Sequence, residues 1–158
     1  MTPADQHVHP AMPAQGHPVG GRGMADPSVD EERIRDLIQR WAAAVHAGDL
    51  ATVLADHADD IVMFDVPPPD NGVRGIADYR DTWPQFFDWQ AGGGSFDIVE
   101  LAVTAGSDVA YAHALLRCGT KDDIAAHPDH RLRLTLGLRK EGERWVVAHE
   151  HHSFPDRS

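Results

Sequence analysis

The order of elements along the chain predicts an α+β fold, with helices packed on one face of a mainly antiparallel sheet. Apolar residues recur at helical spacing in the first half of the chain, where one short strand pattern lies among three helix patterns. The second half contains four apolar runs of strand length. The connections at residues 105–108 and 141–143 have the composition of hairpin turns. Strands that follow one another through hairpins pair in antiparallel fashion, and this predicts the sheet.

The composition excludes several classes of partner. The 158 residues suffice for one compact domain. Acidic residues outnumber basic ones 25 to 14, giving a formal charge of −11. This balance argues against nucleic acid or an anionic membrane as a partner, because both attract clustered Lys and Arg. No apolar stretch approaches the ~20 residues of a bilayer-spanning helix. The single cysteine, Cys118, excludes an internal disulfide, so we expect a soluble cytoplasmic protein.

The first 27 residues differ from the rest and are predicted to form a disordered tail. They are rich in proline, glycine and histidine and contain few large apolar side chains. Such a segment buries too little surface to offset the entropy lost on ordering. It also lacks the basic start and apolar run of a secretory signal. The folded domain is predicted to span residues 28–158.

A long amphipathic helix is predicted at the start of this domain. The run from Ser28 to Glu31 has the form of a capping box, and Gly48 is a typical C-terminal cap. Between them, apolar residues recur at steps of three and four: Ile34, Leu37, Ile38, Trp41 and Val45.

Two further helices and a strand are predicted before the sheet. Asp49 is a suitable cap for a short second helix that closes at residues 59–60. A strand over Ile61–Phe64 should end at the prolines 67–69, because proline donates no ladder hydrogen bond. A third helix should follow Gly75 and reach Phe87, with Pro84 kinking or dividing it.

The alternation of side chains along the four long strands predicts which groups share a cavity. The strands are predicted at Phe96–Thr104, Val109–Cys118, His130–Arg139 and Arg144–Ser153. With Trp145 and Val147 directed inward, alternation places His149 and His151 on the same inner face. The same rule directs Glu150 and His152 outward, to solvent or an interface. Tyr111 and His113 share a face of the second long strand, and we expect them to line the cavity.

Four segments resemble a known superfamily. They are residues 38–50 (IQRWAAAVHAGDL), residues 58–65 (ADDIVMFD), the helix holding Gly75, Tyr79 and Trp83, and residues 145–153 (WVVAHEHHS). Together they are similar to the SnoaL-like and ketosteroid isomerase-like branch of the nuclear transport factor 2-like superfamily. The resemblance covers roughly residues 30 to 154. It implies a cone-shaped barrel with a strongly curved sheet around three helices, a deep pocket, and a homodimer that forms through the outer sheet face.

The resemblance transfers only part of the ketosteroid isomerase catalytic set. Asp65 lies where those enzymes hold their general-base aspartate. Trp41 takes the place of their oxyanion-hole tyrosine, and Leu134 or Leu136 takes the place of their protonated aspartate. The resemblance therefore predicts a base without the usual oxyanion donors.

The leading hypothesis is an acid/base isomerase, cyclase or dehydratase that acts on a small apolar carbonyl compound. Asp65 would remove a proton, and His149, His151 or His113 would stabilise the enolate or protonate a leaving oxygen. The predicted pocket residues are Trp41, Met63, Phe87, Tyr111, Leu134 and Leu136.

Other interpretations of these residues remain open. Asp65 is also suited to capping the turn into the prolines. His149 and His151 are also suited to structural hydrogen bonds, or to a metal site completed by His113 or Asp65. The site hypothesis includes no metal and no cofactor. The chain also lacks a Gly-rich phosphate loop and a nucleophile elbow. The alternative function is a non-catalytic ligand-binding or dimerisation module of the same fold.

Overall fold

The computed structural model describes residues 26–157 and confirms the α+β fold class. The helices are α1 (Pro27–Ala47), α2 (Leu50–Leu54), α3 (Ile76–Asp81), α4 (Trp83–Ala91) and α5 (Lys121–Ala126). The strands are β1 (His57–Phe64), β2 (Val73–Arg74), β3 (Ser95–Ala105), β4 (Val109–Gly119), β5 (Leu132–Glu141) and β6 (Arg144–Ser153). The predicted tail at residues 1–27 lies outside the described residues, except for its last two.

One curved, six-stranded sheet organises the domain. Its strand order is β2-β1-β6-β5-β4-β3, and every pair is antiparallel except β1 with β6. The buried leucines of β5 and the apolar face of α1 belong to the same core. The core therefore lies between the concave side of the sheet and the helices, as in the predicted barrel.

The first helix begins one residue earlier than predicted and uses a different cap. Asp26 is the N-cap, and its Oδ1 accepts a hydrogen bond of 3.0 Å from the backbone N–H of Ser28. Pro27 occupies the first turn, where its missing N–H costs nothing. The predicted capping box at Ser28 is therefore wrong. Gly48 ends the helix in the left-handed conformation (φ 67°), as predicted.

The second helix ends at Leu54, and β1 begins at His57, four residues before the predicted strand start. Thr82 separates α3 from α4, with Pro84 in the first turn of α4, so the third predicted helix is divided, which is one of the two outcomes expected at Pro84. The two-residue strand β2 and the helix α5 were not predicted. In α5, Thr120 and Asp123 form a capping box.

A bulge in β6 reverses the predicted facing of the strand's second half. Gly137 of β5 lies opposite His149 and Leu138 lies opposite Val147, so Ala148 has no partner of its own on β5. One extra residue shifts the alternation by one step, so every later side chain changes face. Glu150 and His152 are consequently buried.

The facing of β4 also differs from the prediction. Ala112 and Ala114 face the core, because they lie directly opposite Leu136 and Leu134 of β5, which are buried. Residues directly opposite each other on neighbouring strands share a face of the sheet. Tyr111, which is 52% exposed, and His113 therefore lie on the outer face, and their predicted inward orientation is wrong.

Candidate active site

A cavity of about 570 Å³ lies between the end of β1, the helices α3 and α4, and the final residues of β6. Its lining is mainly apolar and aromatic, and includes Met63, Trp83, Phe86, Trp89, Phe96 and Leu132. The volume falls within the range of pockets that bind small molecules. The polar lining residues are Asp65, Asp81, Thr82, Gln85, Cys118 and His152, and no Lys or Arg of the described residues 26–157 contributes.

Asp65 and His152 form the closest charged pair in this lining. The Oδ1 atom of Asp65 lies 3.6 Å from Nδ1 of His152. The Asp65 side chain is 26% exposed, whereas that of His152 is 9% exposed. The pair joins an acid that solvent and ligand can reach to a largely buried imidazole.

Two local features hold Asp65 at the cavity. It directly follows β1, at the start of the proline turn, and its Oδ1 accepts a hydrogen bond of 2.8 Å from the backbone N–H of Val66. Pro67 and Pro68 of the same turn line the cavity. Asp65 therefore closes the turn and also lines the cavity.

A second, fully buried layer lies behind His152. The ring Nε2 of His152 is 3.1 Å from Oε2 of Glu150. The other carboxylate oxygen, Oε1, accepts a hydrogen bond of 2.8 Å from the Tyr79 hydroxyl and lies 2.9 Å from Nε2 of His57. Because an ionised carboxylate only accepts hydrogen bonds, each of these ring nitrogens carries the proton.

The electrostatics of this layer favour charged Glu150 and charged His152. Burial alone would raise the pKa of Glu150, but hydrogen bonds from His152 and His57 outweigh it and lower that pKa to about 2. Burial alone would lower the pKa of His152, but the hydrogen bond to Glu150 and the charges of Glu150 and Asp65 raise it. Burial, together with the adjacent Glu150 charge, raises the pKa of Tyr79 well above its ordinary value.

Cys118 lines the same cavity but is not an activated nucleophile. Burial, with the nearby charges of Asp65 and Asp97, raises the pKa of its thiol to about 11. A thiol with that pKa is protonated at neutral pH, and the thiolate is the nucleophilic form.

Only part of the predicted site lies at this cavity. Asp65 and Met63 line it. Trp41, Leu134 and Leu136 are buried in the core, and Phe87 packs against that core. These four predicted pocket residues lie outside the cavity lining, as does Tyr111.

The three predicted catalytic histidines lie on the outer face. His149 donates from Nδ1 to the carbonyl oxygen of Val62 at 2.6 Å, and the Phe64 ring packs edge-on against both His149 and His151. His113 is exposed on β4. The prediction that these side chains converge with Asp65 is wrong, because the bulge at Ala148 and the inward alanines of β4 invert both faces.

Sequence reasoning missed His152, Glu150, His57 and Tyr79. The run from residue 149 to 152 contains three histidines and one glutamate, so either alternation phase places an imidazole inward. Which of these side chains point inward depends on the bulge at Ala148, and the run contains no residue such as glycine that would indicate a bulge. His57 and Tyr79 carry no local signal either, because each meets Glu150 only through the fold.

Two further findings concern the described residues. Within residues 26–157, no group of three His, Cys, Asp or Glu side chains is arranged to hold a metal ion. None of the helices in this range is long and apolar enough to cross a membrane.

Comparison with known families identifies the class of protein. Residues 34–157 match the family model of the SnoaL-like domain. The match covers most of the chain, which therefore belongs to this family. No curated protein matches it.

Solved structures agree with the fold. A nuclear transport factor 2-like protein of unknown function from Pseudomonas putida KT2440 is 37% identical, with a TM-score of 0.72, covering 84% of this chain and 90% of that one. A protein from Streptomyces avermitilis, provisionally named a dehydratase of the nuclear transport factor 2-like family, is 14% identical (TM-score 0.64, 84% and 100% covered). One from Shewanella frigidimarina, provisionally named a ketosteroid isomerase, is 20% identical (TM-score 0.61, 83% and 98% covered). The last two show likeness in fold alone.

Proposed function

We propose that this protein is an acid/base enzyme of the isomerase, cyclase or dehydratase type that acts on a small apolar carbonyl compound. The observation that carries the proposal is the Asp65–His152 pair, 3.6 Å apart in a cavity lined mainly by aromatic and aliphatic side chains. A carboxylate and an imidazolium side by side supply a base and an acid to one ligand. The fold relatives named for isomerisation and dehydration support the same reaction class.

The proposed chemistry divides the proton transfers between the two groups. The Asp65 carboxylate accepts a proton from the carbon next to the substrate carbonyl. Nδ1–H of His152 donates to the oxygen on which negative charge develops, which is either an enolate oxygen or a leaving hydroxyl. His152 thereby supplies the donor that is missing at the Trp41 and Leu134 positions.

The lining supports an uncharged, flat ligand. Trp83, Phe86, Trp89 and Phe96 offer ring faces and edges for stacking. A phosphate or carboxylate in this cavity would find no Lys or Arg partner and would lie near Asp65. An aromatic or polycyclic ketone satisfies both constraints.

Hydrogen exchange of 2-tetralone, a flat bicyclic ketone, tests this function. We expect the protein to accelerate exchange of the protons next to the carbonyl in D₂O, followed by proton NMR. Asp65→Asn should slow this exchange by about a hundredfold, in the range of general-base catalysis. The matched control is Asp70→Asn, an exposed residue of the same loop outside the cavity lining. Equal rates in wild type and Asp65→Asn would remove Asp65 from the mechanism.

Ligand binding without catalysis is the second candidate, and one observation favours it. Oδ1 of Asp65 already accepts the Val66 N–H, so this carboxylate has a structural use in the turn. Quenching of the cavity tryptophans by 2-tetralone without any accelerated exchange would support the binding module. Absence of quenching would contradict both candidates for this ligand class.

We also propose that two copies pair through the outer face of the sheet. Phe64 (37% exposed), Tyr111 (52%) and Val109 (62%) project there, and aromatic residues are enriched at protein interfaces. Sedimentation velocity should show a dimer for the wild type and for Tyr111→Phe, and a monomer for Tyr111→Glu. A monomeric wild type would contradict the proposal. We also propose a cytoplasmic location, because a chain with one cysteine has no internal disulfide that would require an oxidising compartment.

A further inference from the structure

Three buried residues form a hydrogen-bonded layer behind His152. Glu150, Tyr79 and His57 are 0%, 0% and 6% exposed, and none of them lines the cavity. A ligand in the cavity cannot contact them. The His57 ring stacks on the Tyr79 ring with 4.8 Å between centroids, which fixes both donors relative to the carboxylate.

The hydrogen bonds divide the two oxygens of Glu150 between different tasks. Oε1 is occupied by Tyr79 and His57, at 2.8 and 2.9 Å. Oε2 lies 3.1 Å from Nε2 of His152. Two donors on one oxygen prevent the carboxylate from rotating, so Oε2 stays directed at the imidazole. Because Nε2 is engaged there, Nδ1 is the ring nitrogen that faces Asp65.

The charges around His152 come from both sides of its ring. Glu150 on β6 contacts Nε2, and Asp65 after β1 faces Nδ1. Cys118 on β4 lines the same cavity but is a neutral thiol. Of the two carboxylates, Glu150 is fully buried and closer, so solvent screens its attraction for the imidazolium least.

We propose that Glu150 is a positioning residue, held by His57 and Tyr79, which keeps His152 protonated and directs Nδ1–H toward the cavity. The inference deepens the proposed function, because it names Glu150 as the residue that keeps the acid His152 protonated. It rests on the proposed function only for the reaction in which His152 donates its proton. His57 and Tyr79 act one step further away, on the carboxylate. No member of this layer touches the ligand.

A histidine NMR titration of the full-length protein tests the inference directly. We expect ¹⁵N spectra of the labelled wild type to show both ring nitrogens of His152 protonated at pH 7, with the signal assigned from its loss in His152→Gln. Glu150→Gln keeps the side-chain shape but removes the charge, and should lower the midpoint of the His152 titration by at least about one pH unit. Asp30→Asn, at a buried carboxylate outside the cavity lining, is the matched control and should leave the midpoint unchanged.

Two results would overturn the inference. One is a neutral His152 at pH 7 in the wild type. The other is an unchanged midpoint in folded Glu150→Gln. Asp65→Asn provides a further test, because His152 should stay protonated at pH 7 without Asp65. A neutral His152 in that variant would assign the role to Asp65 instead.

The titration separates this inference from the proposed function. The titration does not measure turnover. If Glu150→Gln lowers the midpoint of His152 but the protein does not accelerate tetralone exchange, the enzymatic function is rejected and the positioning role of Glu150 is retained. If tetralone exchange depends on Asp65 but Glu150→Gln leaves the midpoint of His152 unchanged, the enzymatic function is retained and the positioning role is rejected.

Discussion

Among residues 26–157, two carboxylates are buried, and their surroundings differ in kind. Asp30, in the first turn of α1, is 1% exposed and accepts hydrogen bonds from Nε1 of Trp145 at 3.1 Å and Nζ of Lys140 at 3.4 Å. Glu150, in β6, is 0% exposed and is paired with Tyr79, His57 and His152.

The partners decide what each carboxylate can do. The indole N–H of Trp145 does not titrate, and neither Trp145 nor Lys140 lines the cavity. Asp30 therefore joins α1 to the β5–β6 hairpin and changes nothing near a ligand. His152 has an ionisable imidazole and lines the cavity, so the charge of Glu150 acts on a group that a ligand can contact. Burial of an acid thus indicates a functional site only when a titratable partner connects it to accessible space.

The largest expected effect is on the rate of 2-tetralone exchange, and it distinguishes substitutions on the inner face of β6 from those on its outer face. His152→Gln should slow 2-tetralone exchange by about a hundredfold, because the acid is lost. His151→Gln changes the neighbouring side chain on the opposite face and should leave the rate within twofold. Exchange kinetics in D₂O measure both variants under the same conditions. A slower His151→Gln would mean that the outer face takes part in the reaction.

A somewhat smaller effect is expected at Asp30. Asp30→Ala removes the acceptor of a buried indole N–H and of a partly buried ammonium, which should cost about 2 kcal/mol of unfolding free energy. Urea denaturation followed by circular dichroism measures this cost. Exchange of 2-tetralone per folded molecule should be unchanged. A fall in exchange with retained folding would contradict the separation between the two clusters.

The smallest effect concerns the pH dependence of stability. The pKa of His152 is raised above its ordinary 6.5, so its contribution is fully present below pH 6.5 and is lost as pH rises through the folded-state pKa. The pKa of Glu150 is lowered from 4.5 to about 2, so its contribution is lost as pH falls between these values. The Asp30 cluster contains no histidine and contributes only to the acid limb, because the hydrogen bonds from Trp145 and Lys140 outweigh burial and lower that pKa.

Urea titrations at a series of pH values test this assignment. His152→Gln should flatten the decline in unfolding free energy above pH 6.5, whereas Asp30→Asn should leave that decline in place. An alkaline decline of the same size in His152→Gln would assign that decline to another group.

Local patterns in the sequence contained much of the fold, and two of the predicted site residues, Asp65 and Met63, line the cavity. The three- and four-residue steps of α1 and the apolar runs of β3 to β6 are local properties, and these elements form near the predicted positions. Asp65 was singled out because the family resemblance places it at the general-base position, directly after a strand that three prolines bring to an end. The Asp26 cap was missed because Ser28 offered an equally good local solution two residues later.

The amino-acid sequence alone determined the α+β class, the order of the long elements and the place of Asp65 after β1, because each depends on residues a few positions apart. Only the tertiary structure decided which histidine meets that acid. Side chains along a strand alternate with a period of two, so the single unpaired residue Ala148 exchanges inner and outer faces for the rest of β6. Its position depends on pairing with β5, and the Glu150 contacts join three distant elements, so no local pattern encodes either.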